Sequence, residues 1–69
     1  MKLSARNQFQ GKVKSIKIGN VMAEVVVDIG GGHEVVSAIT RGSAEYLGLA
    51  QGSTVTVVIK ATEVILAQD

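Results

Sequence analysis

The 69-residue chain has no cysteine, no proline and no tryptophan, and it has one histidine, one tyrosine and one phenylalanine. Without cysteine there is neither a disulfide nor a thiolate metal site. A single histidine excludes a histidine-rich metal cage. Without proline, the turns fall to the eight glycines. Two aromatics, Phe9 and Tyr46, are too few to bind single-stranded nucleic acid, which stacks successive bases on aromatic rings. Charge of one sign is missing as well: seven Lys and Arg against six Asp and Glu leave a net charge of +1. That is no basic field with which to displace counterions from a duplex. No apolar run approaches the ~18 residues of a membrane span, and residues 1–8 hold no apolar signal region. The expectation is a cytoplasmic protein with neither membrane nor nucleic acid as partner.

What is there is branched and apolar. Hydrophobic residues make up 46% of the chain, and 21 of the 69 residues are Val, Ile or Thr. Branched side chains suit the pleated surface of a sheet. A chain this short buries only roughly 60% of its unfolded surface. Small domains therefore rely on disulfides, metals or other subunits. With the first two excluded, oligomerisation remains.

The pattern along the chain reads as strands. Phe9, Gly11 and Val13 alternate with Gln10, Lys12 and Lys14, the period of a half-buried strand. The alternation slips near Ser15, because Val13 is odd and Ile16 is even, and a bulge or bend would restore the face. Gly19-Asn20 signals a turn into a second strand over residues 21–29. Val25-Val26-Val27 at its centre implies cover on both faces, the second supplied by another subunit. Met22 is expected within this strand, filling an apolar gap. Gly30-Gly31-Gly32 makes a hairpin tip before a third strand over residues 34–40. Ser43-Ala44-Glu45-Tyr46-Leu47 reads as a short helix, with Ser43 as its N-cap and Gly48 closing it. A fourth strand over 54–60 and a fifth over 64–67 complete the order. Five strands with a helix between the third and fourth is the order of an OB-like Greek-key barrel. The fold class is thus all-β, and residues 1–69 form a single domain.

No catalytic set is visible, so no enzyme is expected. His33 beside three glycines reads as a solvated turn histidine. The glycines lead into a strand rather than a helix, so they are no phosphate cradle. Lys12, Lys14 and Lys17 read as a solvated face that guards an edge strand. A better anion-binding set is Ser4 and Arg6, which project to one side of an extended segment, with Thr40 and Ser43 at a helix start and Lys60 at a strand end. Together they supply guanidinium, ammonium, hydroxyl and backbone N–H donors.

The same residues carry a family resemblance. Ser4-Ala5-Arg6-Asn7-Gln8 followed by Gly11-Lys12-Val13 resembles the opening signature of the molbindin family, the Mop domains. Gly19-Asn20-Val21-Met22-Ala23-Glu24-Val25, Ile39-Thr40-Arg41-Gly42-Ser43, Leu47-Gly48-Leu49 with Gly52, and Val58-Ile59-Lys60-Ala61-Thr62-Glu63-Val64 are similar to its later segments, in order along essentially the whole chain. With 69 residues leaving no room for a helix-turn-helix or an ATPase, the nearest likeness is to the stand-alone form. The resemblance implies an OB-like barrel whose strands intertwine between subunits, assembled as a homohexamer, a trimer of dimers. It implies binding and storage of molybdate, and of tungstate, in the cytoplasm, with no organic cofactor and no metal held directly by side chains. One kind of site would use Ser4, Ala5, Arg6, Thr40, Ser43, Lys60 and Ala61. A second, built largely from main chain, would lie around Gly19, Asn20 and Val21.

Donor-only chemistry suits such a ligand. Molybdate is a tetrahedral dianion without a proton near neutral pH. Phosphate keeps a proton on much of its population, and a buried site without an acceptor leaves that proton unpaired at a cost of ~1–3 kcal/mol. None of the candidate residues is Asp or Glu. Sulfate must be rejected by size, since a rigid pocket spaced for longer metal–oxygen bonds stretches its hydrogen bonds. Tungstate, of nearly the same size as molybdate, should be discriminated poorly. The competing reading is an OB-like interaction module that recruits a protein partner, or less readily nucleic acid, and it predicts an oligomer without oxyanion affinity.

Overall fold

Alternating apolar and polar residues produce four strands, and glycines separate the first three. The computed structural model describes all 69 residues. In order they form β1 (Asn7–Ile18), β2 (Met22–Gly30), β3 (His33–Thr40), helix α1 (Arg41–Tyr46), β4 (Thr54–Ile59) and a 3-10 turn (Ala61–Glu63). The strands make one antiparallel sheet in the order β3-β2-β1-β4. Gly31 and Gly32 both have positive φ, +64° and +80°, the backbone that a tight two-residue hairpin turn needs to match strand twist.

Strand β1 divides its pairing. Its first half, from Asn7 opposite Ile59 to Lys12 opposite Thr54, pairs with β4. Its second half, from Lys12 opposite Asp28 to Ile18 opposite Ala23, pairs with β2. The register shifts between Val13 and Ser15, where the alternation of the sequence slips. This bulge curls the sheet, because an extra residue on one strand bends it and raises its twist. Gly11 sits at the crossing. A Cβ there would lie 2.5 Å from the Asp28 carbonyl oxygen and 2.7 Å from Val27 Cγ1, so only glycine lets the two strands approach.

The core is small. Val13, Ala23, Val25, Val27 and Ala44 are the buried residues, five of 69. Ile16, Ile29, Ile39, Leu49, Val55 and Val57 pack around the three valines and stay partly open. Val26, on the other face of β2, is half-buried.

Several expectations need correction. The fifth strand does not form. Residues 64–69 have no regular structure and are exposed: the Val64 N–H is taken by the Ala61 carbonyl of the 3-10 turn rather than by a neighbouring strand. The helix begins at Arg41 rather than Ser43, and its N-cap is Thr40, whose side chain accepts from the Ser43 N–H. Met22 opens β2 and is exposed rather than filling a gap within it. The lysine-bearing strand β1 is internal to the sheet, not an edge. Gly48, with φ +64°, does close the helix.

Candidate functional site

The sheet register sorts the candidate residues into two groups. Asn7 pairs with Ile59 at one end of the β1–β4 ladder. Arg6 precedes that pair on one strand and Lys60 follows it on the other. Ser4, Ala5, Arg6, Lys60 and Ala61 are thus gathered where β1 begins and β4 ends. At the other end of β1, Met22 pairs with Thr40. The Arg41 N–H donates to the Val21 carbonyl at 2.8 Å, and the Gly19 N–H to the Met22 carbonyl at 2.7 Å. Thr40 and Ser43 therefore sit beside Gly19, Asn20 and Val21. The residues expected in one site are divided between the two ends of β1 within a single chain, while the two sets expected to be separate share a corner.

The corner is a chain of donors. Thr40 Oγ1 accepts from the Ser43 N–H at 3.0 Å and donates to Ser43 Oγ at 2.8 Å. A hydroxyl has one hydrogen, so the Ser43 proton is left to point outward. The N–H groups of Arg41 and Ser43 are already engaged, by Val21 and Thr40. The hydroxyls, more than the six-residue helix, equip this corner to meet an anion. The sequence reading missed Thr40 as the cap; the signal was a threonine three residues before a serine at the end of a strand.

Electrostatics distinguish the other end. The chain has two ion pairs, Lys14 with Glu34 and Arg41 with Glu45. Arg6 and Lys60 have no carboxylate partner, and both are exposed, as are Ser4, Thr40, Ser43 and Ala61; Ala5 is half-buried. Arg41, in contrast, is tied along the helix by Nε to Glu45 Oε1 at 2.8 Å. Lys14 is held protonated above the ordinary lysine range, first by its hydrogen bond to Glu34, then by the Glu34 charge, with Asp28 adding. No group of three His, Cys, Asp or Glu is placed to hold a metal ion.

A separate groove of about 290 Å³ opens between β3 and β4. Val25, Val27, Ile39, Leu49, Val55 and Val57 form much of its wall. It has no charged lining, and only Ser37 and Thr56 bring polar side chains to it.

Comparison with known proteins follows this geometry. The TOBE domain family matches residues 3–66. Molybdenum-pterin-binding protein 3 of Clostridium pasteurianum is 50% identical over 66 residues, covering 96% of this chain and 97% of that protein. A molybdate binding protein from Sporomusa ovata superposes with a TM-score of 0.91 at 44% identity, over 99% of this chain and all of that one. The cytoplasmic molybdate-binding protein ModG, solved with molybdate bound, superposes with a TM-score of 0.84 at 48% identity, over 88% of this chain and 43% of that one. The curled antiparallel sheet with one short helix is the fold they have in common with it. The chain belongs to the TOBE-domain family and, within it, to the molbindins.

Proposed function

We propose that this protein binds molybdate, and tungstate with it, between the subunits of a homo-oligomer, and that it stores and buffers the oxyanion in the cytoplasm. The observation that carries the reading is the divided donor set. Arg6 and Lys60 stand without carboxylates at one end of β1, and the Thr40–Ser43 hydroxyl pair stands at the other. All are exposed. Exposed donors hold an oxyanion weakly, because water competes for every bond. A second subunit that brings its hydroxyl corner against the first subunit's cations would complete the set and exclude that water. The relatives that bind molybdate support the choice of ligand.

Ser4, Arg6, Lys60 and the backbone at Ala5 and Ala61 would come from one subunit. Thr40 and Ser43 would come from its neighbour. Gly19, Asn20 and Val21, beside that corner, would line a second site through their main chain. The assembly is a hexamer built as a trimer of dimers, a single domain per chain in an OB-like barrel. Its task is binding without chemistry, and neither nucleic acid nor membrane is a partner.

Calorimetry of the assembled protein with molybdate, tungstate, sulfate and phosphate tests this. Molybdate and tungstate should bind alike, and sulfate and phosphate far more weakly. Arg6→Ala and Lys60→Ala should each weaken molybdate by about 2 kcal/mol, the size of a buried charge-assisted bond. Unchanged affinity in both variants would remove these residues from the site.

A further inference from the structure

Ser4, Ala5 and Arg6 belong to the proposed anion set, yet they lie outside the sheet. Asn7 opposite Ile59 is the last pair of the β1–β4 ladder, and the arm before it has no strand to pair with. No main-chain hydrogen bond involves residues 1–6. One side chain ties the arm down: Gln8 Nε2 donates to the Ala5 carbonyl at 2.6 Å, three residues back along the chain. Gln8 is itself fixed in β1 opposite Val58, with its side chain on an exposed face. No role proposed so far uses it.

This bond decides which way one peptide faces. A trans peptide holds its C=O and its N–H on opposite sides, and every peptide bond in the chain is trans. Anchoring the Ala5 carbonyl to Gln8 therefore turns the Arg6 N–H away from Gln8. That N–H and the N–H of Ala5 have no acceptor within the chain. The same bond occupies a carbonyl oxygen. Lone pairs turned toward a dianion repel it, so a donor-only site must hide its carbonyls as well as present its N–H groups.

We infer that Gln8 is a positioning residue for the oxyanion site. Through the Ala5 carbonyl it sets the Ala5–Arg6 peptide with the Arg6 N–H toward the anion, and it holds the Ser4–Arg6 arm in place before the ligand arrives. An arm ordered in advance loses less entropy on binding. The inference rests on the anion reading above and adds to it a residue that touches no ligand. Glutamine suits the place by length and by chemistry. Asparagine is one methylene shorter, and an ionised glutamate has no hydrogen to donate.

The test pairs molybdate calorimetry with amide spectra of the full-length, assembled protein. Gln8→Met keeps the length of the side chain and removes the donor. It should weaken molybdate about tenfold, the size of one lost hydrogen bond, while the oligomer stays unchanged on size exclusion. Gln10→Met, two residues along the same exposed face of β1, should leave the affinity as it is. In the wild type, the Arg6 amide proton should move downfield as molybdate is added, the signature of an N–H that donates to the anion. Nitrogen relaxation should find Ala5 and Arg6 ordered without ligand in the wild type and mobile in Gln8→Met. Unchanged affinity in Gln8→Met, an equal loss in Gln10→Met, a lost oligomer or an Arg6 amide that ignores molybdate would each overturn the inference. Arg6→Ala separates the two proposals. If it weakens molybdate and Gln8→Met does not, the site stands and the positioning role falls. If neither Arg6→Ala nor Lys60→Ala changes the affinity, the site assignment itself fails and the role of Gln8 goes with it.

Discussion

Single residues set how closely this chain approaches itself. At Gly11 an added methyl group has no room, because its nearest neighbours include a backbone carbonyl that cannot rotate away. Gly11→Ala should therefore destabilise the protein by about 1–3 kcal/mol, the usual cost of forcing atoms into a packed site, and a denaturant titration would measure it. Thr40 has two tasks at once, capping α1 and aiming the Ser43 hydroxyl. Thr40→Val should cost ~1 kcal/mol of stability through the lost cap. It should also weaken molybdate roughly tenfold, because Ser43 Oγ loses the Thr40 hydroxyl that donates to it and fixes its rotamer. Thr40→Ser should restore both. If valine changed stability but not affinity, the corner would be structural only.

Elements show where sequence and structure part. The Lys14–Glu34 pair joins β1 to β3 across β2. Because the folded-state pKa of Lys14 is raised, its contribution to stability is complete below the ordinary lysine range. It is lost as pH rises through the raised value. Lys14→Met should flatten the alkaline limb of a melting-temperature profile, by a small amount because the pair is exposed. The bulge beside Lys14 was legible, since the alternation of Val13 and Ile16 cannot hold without it. So were the hairpin at Gly31-Gly32 and the helix exit at Gly48, where local backbone needs choose the residue. The fifth strand read from Val64 to Ala67 does not form, and Ile65 and Leu66 stay exposed; a run of apolar residues does not by itself say which strand, if any, it pairs with. Thr40 ends β3 as its sequence suggested and also caps α1 in place of Ser43, because threonine suits both a strand and a cap. The division of the donor set was hidden for another reason: Arg6 meets Lys60 only through the Asn7–Ile59 register, a pairing that no local signal reveals.

At the scale of the molecule, ligand and assembly should be linked. An anion held between subunits favours the assembled state by mass action. Molybdate should raise the melting temperature by an amount that grows with its concentration, while sulfate at the same ionic strength should not. Scanning calorimetry at two protein concentrations would check this, and a ligand-independent melt would break the link. The divided pairing of β1 has a last consequence, for the order of events in folding. The β2–β3 hairpin closes over a two-residue turn, on the order of microseconds for such a unit. Strand β4 must find the start of β1 from the far end of the chain, and long loops are the slow contacts to close. The β3–β4 gap is therefore the last feature of the monomer to take shape. An oligomer built on this sheet cannot form before that moment, so refolding should turn concentration-dependent only in its final phase.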